Sequence, residues 1–460
     1  MPLTSVYSPF FRSYLFPLLD RMNGTRIAAI LRFLEQSEGF SLQELQELQK
    51  AKLEALLEFT REHVPFYSRF WEAAAGERSI DSAYPMLKGL PLVTKDDLRK
   101  SDEQFPVEAY RGRVIRSKTS GSTGMPMTFI RSMEQESWFW ALRFRIWRWT
   151  GYNIGDPYLT INLNPRLACK KKLQDLLFRC CYLTYNADNL NSERIIERLR
   201  SKKITHLNGF SSSLFALTRY MHLKGMTNPG VTAITATGDT LFPSYRELIE
   251  RQFGIGVTDY YGAGGEGMHL ASQCEYREQY HVHMENSIVE IITAGRPARP
   301  GEIGRIVVTQ LDNYAMPLIR YDLGDTAVAG DGKPCRCGRA HSTLQSIQGR
   351  VYDIVYAPNG SALLPHFFVV AFKNLQEIHQ YQIIQDEEGN IVAKLVAKPN
   401  CDQREYERVL KTQIGDATGG SLKVKFAWVP KITLSGAGKR RLVISKFGNG
   451  LREHSPTAIS

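Results

Sequence analysis

Leucines at 42, 45, 48, 53, 56 and 57 recur at helical spacing among Glu, Gln and Lys, which predicts an amphipathic helix from about Ser41 to Val64. Ser41 followed by Glu44 fits a capping box at its start. Trp138 to Trp149, dense in aromatics and arginines, predicts a second helix. Core packing with arginines snorkelling to solvent explains that composition, and the alternative is that one face lines a ligand pocket. From about Tyr158 short apolar runs alternate with amphipathic segments: Tyr158–Ile161, Ser192–Ser201, His206–Gly209, Ala233–Thr237, Pro243–Phe253 and Gly256–Tyr260. This alternation argues for α/β layers. After Ile288 strands follow closely (288–293 and 303–309), as in a β-rich subdomain, and the last hundred residues again mix strands and helices. The expected architecture is a large α/β N-terminal domain (1–348) with layered sheets and a β-rich subdomain, a hinge (349–353), and a small, mobile α+β C-terminal domain (354–460).

A chain of 460 residues, 43% hydrophobic and 23% charged, can bury a sizeable core, as soluble globular proteins do. The longest apolar run, Phe367–Phe372, is too short to cross a bilayer. Apolar patches at Val6–Phe11 and Tyr14–Leu19 are interrupted by Arg12, Asp20 and Arg21, with no small-residue cleavage site after them. A cytoplasmic chain is therefore expected. The net charge of +11 suits a nucleotide, coenzyme A, nucleic acid or an acidic membrane surface. No nucleic-acid module signature accompanies it. Seven scattered cysteines without a secretory signal argue against a disulfide framework.

The sharpest local feature is Thr119-Ser120-Gly121-Ser122-Thr123-Gly124-Met125-Pro126, between strand-like runs at 114–118 and 127–130. Glycines admit close backbone approach, and successive N–H groups with Ser and Thr hydroxyls can cradle phosphate oxygens. No Gly-Lys-Ser/Thr end follows, which excludes a Walker loop. The stretch resembles the phosphate-binding signature of the adenylate-forming superfamily of acyl-CoA synthetases, adenylation domains and luciferases. The wider sequence is similar to the branch of phenylacetate-CoA ligase-like and capsule-biosynthesis proteins. A lysine common in that signature is absent, with Met125 and Met127 standing nearby.

Five further motifs follow in the family's order. Gly238-Asp239 resembles the segment that approaches adenine, with Asp for the usual Glu. In Asp259-Tyr260-Tyr261-Gly262-Ala263-Gly264-Gly265-Glu266 the resemblance implies adenine stacking on Tyr261 beside Gly262, and Mg²⁺ held by Glu266. Glu266 falls one place later than the family spacing. Arg320-Tyr321-Asp322-Leu323-Gly324-Asp325 resembles the motif whose last aspartate accepts both ribose hydroxyls. Gly349-Arg350-Val351-Tyr352-Asp353 resembles the segment in which Arg350 touches ribose and Tyr352 and Asp353 form the hinge. Gly438-Lys439 resembles the C-terminal motif whose lysine reaches the forming carboxylate–phosphate junction.

Cys335-Arg336-Cys337 with Cys274 and His281 supplies the three thiols and one imidazole of a tetrahedral structural Zn²⁺ site, with His283 and His269 as competing ligands. The resemblance to some relatives favours His281. It also implies an AMP-forming ligase: a carboxylate attacks ATP, and the acyl-adenylate passes to an acceptor, expected to be coenzyme A. The acyl pocket is expected around 138–149, 206–213 and 238–241. An amine or carrier-protein acceptor, a catalytically degenerate nucleotide-binding homologue, and a membrane-peripheral scaffold are the alternatives. Oligomeric state is left open.

Overall fold

A computed structural model of the chain describes residues 4–67, 83–100, 110, 112–119, 127–162, 175–184, 192–350, 354–359, 361–363, 365–372, 375, 377–399, 401–432, 442–446 and 458–459. The leucine-periodic helix spans Leu42–His63. Its capping box forms as the spacing predicts: the Glu44 N–H donates to Ser41 Oγ at 3.2 Å, and the Ser41 N–H donates to Glu44 Oε2 at 2.7 Å. Leu45, Leu53, Leu56 and Leu57 are buried.

The aromatic helix runs Met133–Arg148 and starts on Ser132, whose hydroxyl accepts from the Gln135 N–H at 3.0 Å. It is buried on most sides, through Trp138, Phe139, Ala141, Leu142, Phe144, Ile146 and Trp147. The snorkelling expected of its arginines fails at Arg145. That guanidinium is fully buried and donates to Glu285 Oε1 at 2.6 Å. A buried charge needs a partner, and the tertiary fold supplies one.

Five strands, β3 (Tyr158–Asn162), β4 (Cys180–Thr184), β5 (His206–Phe210), β6 (Ala233–Thr237) and β7 (Val257–Ala263), form a parallel array in the order β4-β3-β5-β6-β7. Helices Ser192–Ser201, Ser211–Leu223 and Pro243–Phe253 connect successive strands along the chain. Nearly every residue of β5 and β6 is buried, as parallel strands covered on both faces require.

The β-rich part continues this sheet. β7 is parallel to β6 and antiparallel to β8 (Met268–Gln273). Beyond β8 the order runs through β9 (Tyr280–Val282), β14 (Thr343–Arg350), β13 (Tyr321–Ala329), β12 (Ile303–Gln310), β10 (Ser287–Thr293) and β11 (Arg296–Pro297). Among the described residues this makes one twelve-stranded sheet. A separate antiparallel pair, β1 (Val114–Thr119) and β2 (Met127–Ser132), flanks it.

The C-terminal part is α+β. Strands Lys423–Trp428, Asn390–Ala397, Ile378–Glu387 and Val443–Ser445 lie in that spatial order, and helices Pro365–Phe372 and Gln403–Thr418 accompany them. Its core includes Leu363, Phe368, Ile383, Ile391, Leu395, Leu410 and Ile414.

Candidate active site

Tyr261 lies near the end of β7, and its hydroxyl donates to Asp325 Oδ2 in β13 at 2.7 Å. Across the β13–β14 ladder, Asp325 is the direct partner of Arg350. The preceding Gly349 has φ 98°, and a Cβ there would stand 3.4 Å from Thr240 Oγ1. The segment after β6 therefore borders the same corner. Gly238 has φ 81°, and a Cβ would meet the Phe210 ring at 2.2 Å, so only glycine fits. The Asp239 carboxylate accepts from the Ser212 N–H at 3.2 Å, at the N-terminus of helix Ser211–Leu223. Four motifs far apart in sequence thus meet in space. Gly262 permits a tight β7–β8 contact, since a Cβ would lie 2.3 Å from the Met268 carbonyl oxygen.

Glu266 is buried. Its Oε1 accepts from the Tyr321 hydroxyl at 3.5 Å and stands 3.9 Å from Lys95 Nζ. The Ser117 hydroxyl donates to the Gly265 carbonyl at 2.5 Å, tying β1 to the turn that carries Glu266. Lys95 was missed by motif reading because it belongs to none of the motifs. Ser120, Gly121, Ser122, Thr123, Gly124, Tyr352, Asp353 and Lys439 lie outside the described residues. Thr119 and Arg350 are described by backbone alone.

The three segments expected to build an acyl pocket are neighbours. The Trp147 and His206 rings lie 4.6 Å apart, the Ser211 hydroxyl donates to the Asp239 carbonyl at 2.9 Å, and the Tyr260 hydroxyl donates to Asn208 Oδ1 at 3.0 Å. Arg143 and His269 belong here too. His269 stacks on Phe139 at 4.3 Å, and neither ring nitrogen has a hydrogen-bond partner among the described residues. Burial, then Arg143 and Arg131, hold its pKa well below the usual imidazole range, so the ring is neutral. The Arg143 guanidinium lies over Phe139 and Trp140 at 4.9 and 4.8 Å. The available sequence signal was an arginine four places after Phe139 in a helix otherwise rich in apolar residues.

Cys274, at the end of β8, His281 in β9, and Cys335 and Cys337 between β13 and β14 form a second cluster, their ligand atoms within 4.8 Å of one another. Cys274 Sγ lies 3.6 Å from Cys335 Sγ, and Cys337 Sγ lies 3.4 Å from His281 Nε2. Burial pushes the Cys274 thiol up to about 12 and the His281 imidazole down to about 4. Thiolates in such a spot need a cation, and three thiolates with one neutral imidazole are a zinc donor set. The competing histidines stand elsewhere. His283 Nδ1 is 2.6 Å from the Arg145 guanidinium, and His269 is stacked on Phe139.

Residues 355–446 match the CapK C-terminal domain family. The Staphylococcus aureus protein CapK is 23% identical over 414 residues, covering 88% of this chain and 90% of CapK. A phenylacetate-coenzyme A ligase of Thermus thermophilus is 22% identical over 394 residues, covering 78% of this chain and 82% of its own. Among solved structures, 2-hydroxyisobutyryl-CoA ligase in its postadenylation state with R3-HIB-AMP matches with a TM-score of 0.69 at 18% identity, covering 86% of this chain and 89% of that one. The shared fold over most of both chains and the relatives on either side of it agree with the order of the motifs: the chain is similar to adenylate-forming ligases along most of its length, within the branch that includes CapK and the phenylacetate-CoA ligases.

Proposed function

We propose that the protein is an AMP-forming ligase that activates a carboxylic acid as its acyl-adenylate and passes the acyl group to coenzyme A. The observation that carries this reading is the convergence of Tyr261, Asp325, Arg350 and Gly238–Asp239 at one corner of the large sheet. Adenine stacks on Tyr261, and Asp325 accepts the ribose hydroxyls, its second acceptor role beside the Tyr261 bond. The Thr119–Gly124 turn holds the phosphates. Glu266 would hold Mg²⁺, which supplies charge neutralisation there, and Lys95 stands beside it as a fixed cation.

The reacting carboxylate attacks the α-phosphorus and pyrophosphate leaves. Lys439 stabilises the charge that develops at the junction. In the second step the thiol of coenzyme A attacks the acyl carbonyl and AMP leaves. Rotation of the 354–460 unit against 1–348, about 349–353, withdraws Lys439 between the steps. The acyl group lies against the Met133–Arg148 helix. Arg143 and the His269 ring, which has no hydrogen-bond partner among the described residues, favour an acid with a second polar or anionic group. ATP and coenzyme A as substrates call for a cytoplasmic enzyme. The Cys274–His281–Cys335–Cys337 cluster holds structural Zn²⁺, because four protein ligands leave no open position for chemistry.

The test is carboxylate-dependent ATP–pyrophosphate exchange over a panel of acids, each plain acid paired with a hydroxylated or dicarboxylic counterpart. Exchange is expected with at least one acid, faster for the polar member of its pair. Lys439→Ala should lower it by about 100-fold or more. Exchange with no acid overturns the ligase reading, and full exchange in the variant overturns the role of Lys439.

A further inference from the structure

The N-terminal run from Thr4 to Met22 is continuously helical, as Thr4–Phe10, a π-helical turn Phe11–Leu15, and Phe16–Met22. It carries apolar side chains on two sides. Phe11 and Phe16 are buried and pack with Phe144 and Phe178, with Tyr7, Leu15 and Leu19 partly buried beside them. That side is spent on the core. On the other side Phe10, Tyr14, Leu18 and Met22 stand 54%, 70%, 55% and 74% exposed. They recur every fourth residue, so they line one side of the helix. A surface helix ordinarily has a single apolar stripe, turned inward. One exposed apolar residue needs no explanation, but four large ones in register mark a contact surface.

The charges around this stripe choose its partner. Arg21, Arg26 and Arg113 are exposed; Arg21 lies three residues from Leu18, on the same side of the helix, and Arg113 Nη1 donates to the Asn23 carbonyl at 3.4 Å, just past the helix end. The acid within the run, Asp20, is buried. It accepts from the N–H groups of Ile27 at 3.1 Å and Ala28 at 2.9 Å, and from the Thr25 hydroxyl. Glu134 stands 3.6 Å from Arg26. Arg21 therefore edges the stripe, with Arg113 and the Arg26–Glu134 pair beyond its C-terminal end. A second copy docked face to face would set the same arginines against each other, whereas an anionic surface neutralises them.

We propose that this face rests on an anionic lipid surface. Phe10, Tyr14, Leu18 and Met22 enter the boundary between headgroups and acyl chains, and Arg21 and Arg113 lie against headgroup phosphates. The contact is independent of the adenylate chemistry, and it would hold the enzyme beside a membrane-borne substrate or acceptor.

The test is co-sedimentation of the full chain with vesicles of phosphatidylcholine alone and of three parts phosphatidylcholine to one part phosphatidylglycerol. Binding is expected to the mixed vesicles, at least about tenfold weaker to the neutral ones, and falling with salt. Leu18→Ser with Met22→Ser should weaken it at least about tenfold. Arg21→Gln and Arg113→Gln should each cost about fivefold. All four side chains are exposed, so the melting temperature should hold. If the serine pair melts lower, the arginine variants decide alone. No binding to mixed vesicles, or variants that bind as well as wild type, overturns the proposal. So does a dimer, seen by sedimentation velocity without vesicle binding, that the serine pair dissolves; that result would assign the face to a second copy.

Discussion

His206 sits fully buried on β5, with its Nε2 2.9 Å from Thr235 Oγ1 and its ring against Trp147. Burial lowers its pKa from 6.5 to about 3. The folded state therefore holds a neutral ring where the unfolded chain would take up a proton. Stability from this site is complete above pH 6.5 and is lost as pH falls from there towards 3. At pH 5 the loss should reach about 2 kcal/mol. His206→Gln is expected to decline less between pH 7 and pH 5 in thermal melts, and equal slopes would refute the assignment. Glu285 shows the opposite balance. Burial works to raise its pKa, but Arg145 and His341 outweigh burial and hold it well below the carboxylate range. Nothing in the sequence near Arg145 announces this pair, because Glu285 lies 140 residues away.

The capping box of helix Leu42–His63 was legible because both partners lie within four residues, where spacing fixes geometry. The glycine of Gly238-Asp239 was legible as a motif, but its physical reason, the Phe210 ring in the path of any Cβ, was not. The cysteine turn is intermediate. Cys335-Arg336-Cys337 reads as a thiol pair, yet only the pairing of Thr343 in β14 with His281 in β9 brings strand and turn together. Near-stoichiometric zinc is expected on metal analysis of purified protein. Cys335→Ser should lose that metal and lower the melting midpoint by about 5 °C or more. A metal-free protein that melts like the metal-bound one would remove the structural role.

The C-terminal strands and helices share a core of their own, built from Leu363, Phe368, Ile383, Leu395 and Leu410. We expect a fragment of residues 354–460 to melt cooperatively by circular dichroism. A broad, non-cooperative melt would count against an independent unit and against its rotation between half-reactions. At this scale the β-rich segment reads as a subdomain, yet it extends the same sheet as the parallel half through β7. Periodicity finds strands but carries no information on which edges join. What the sequence by itself determined is therefore local or ordered: the helical and strand periods, the caps, and the succession of glycine-rich and acidic motifs that a ligase of this superfamily requires. What only the tertiary structure decided is convergence: Tyr261 onto Asp325, Arg145 onto Glu285, His269 behind Phe139, and one face of the N-terminal helix left outside the core. Contacts between distant residues depend on how the elements pack, and burial then sets which charges must pair and which apolar faces stay uncovered.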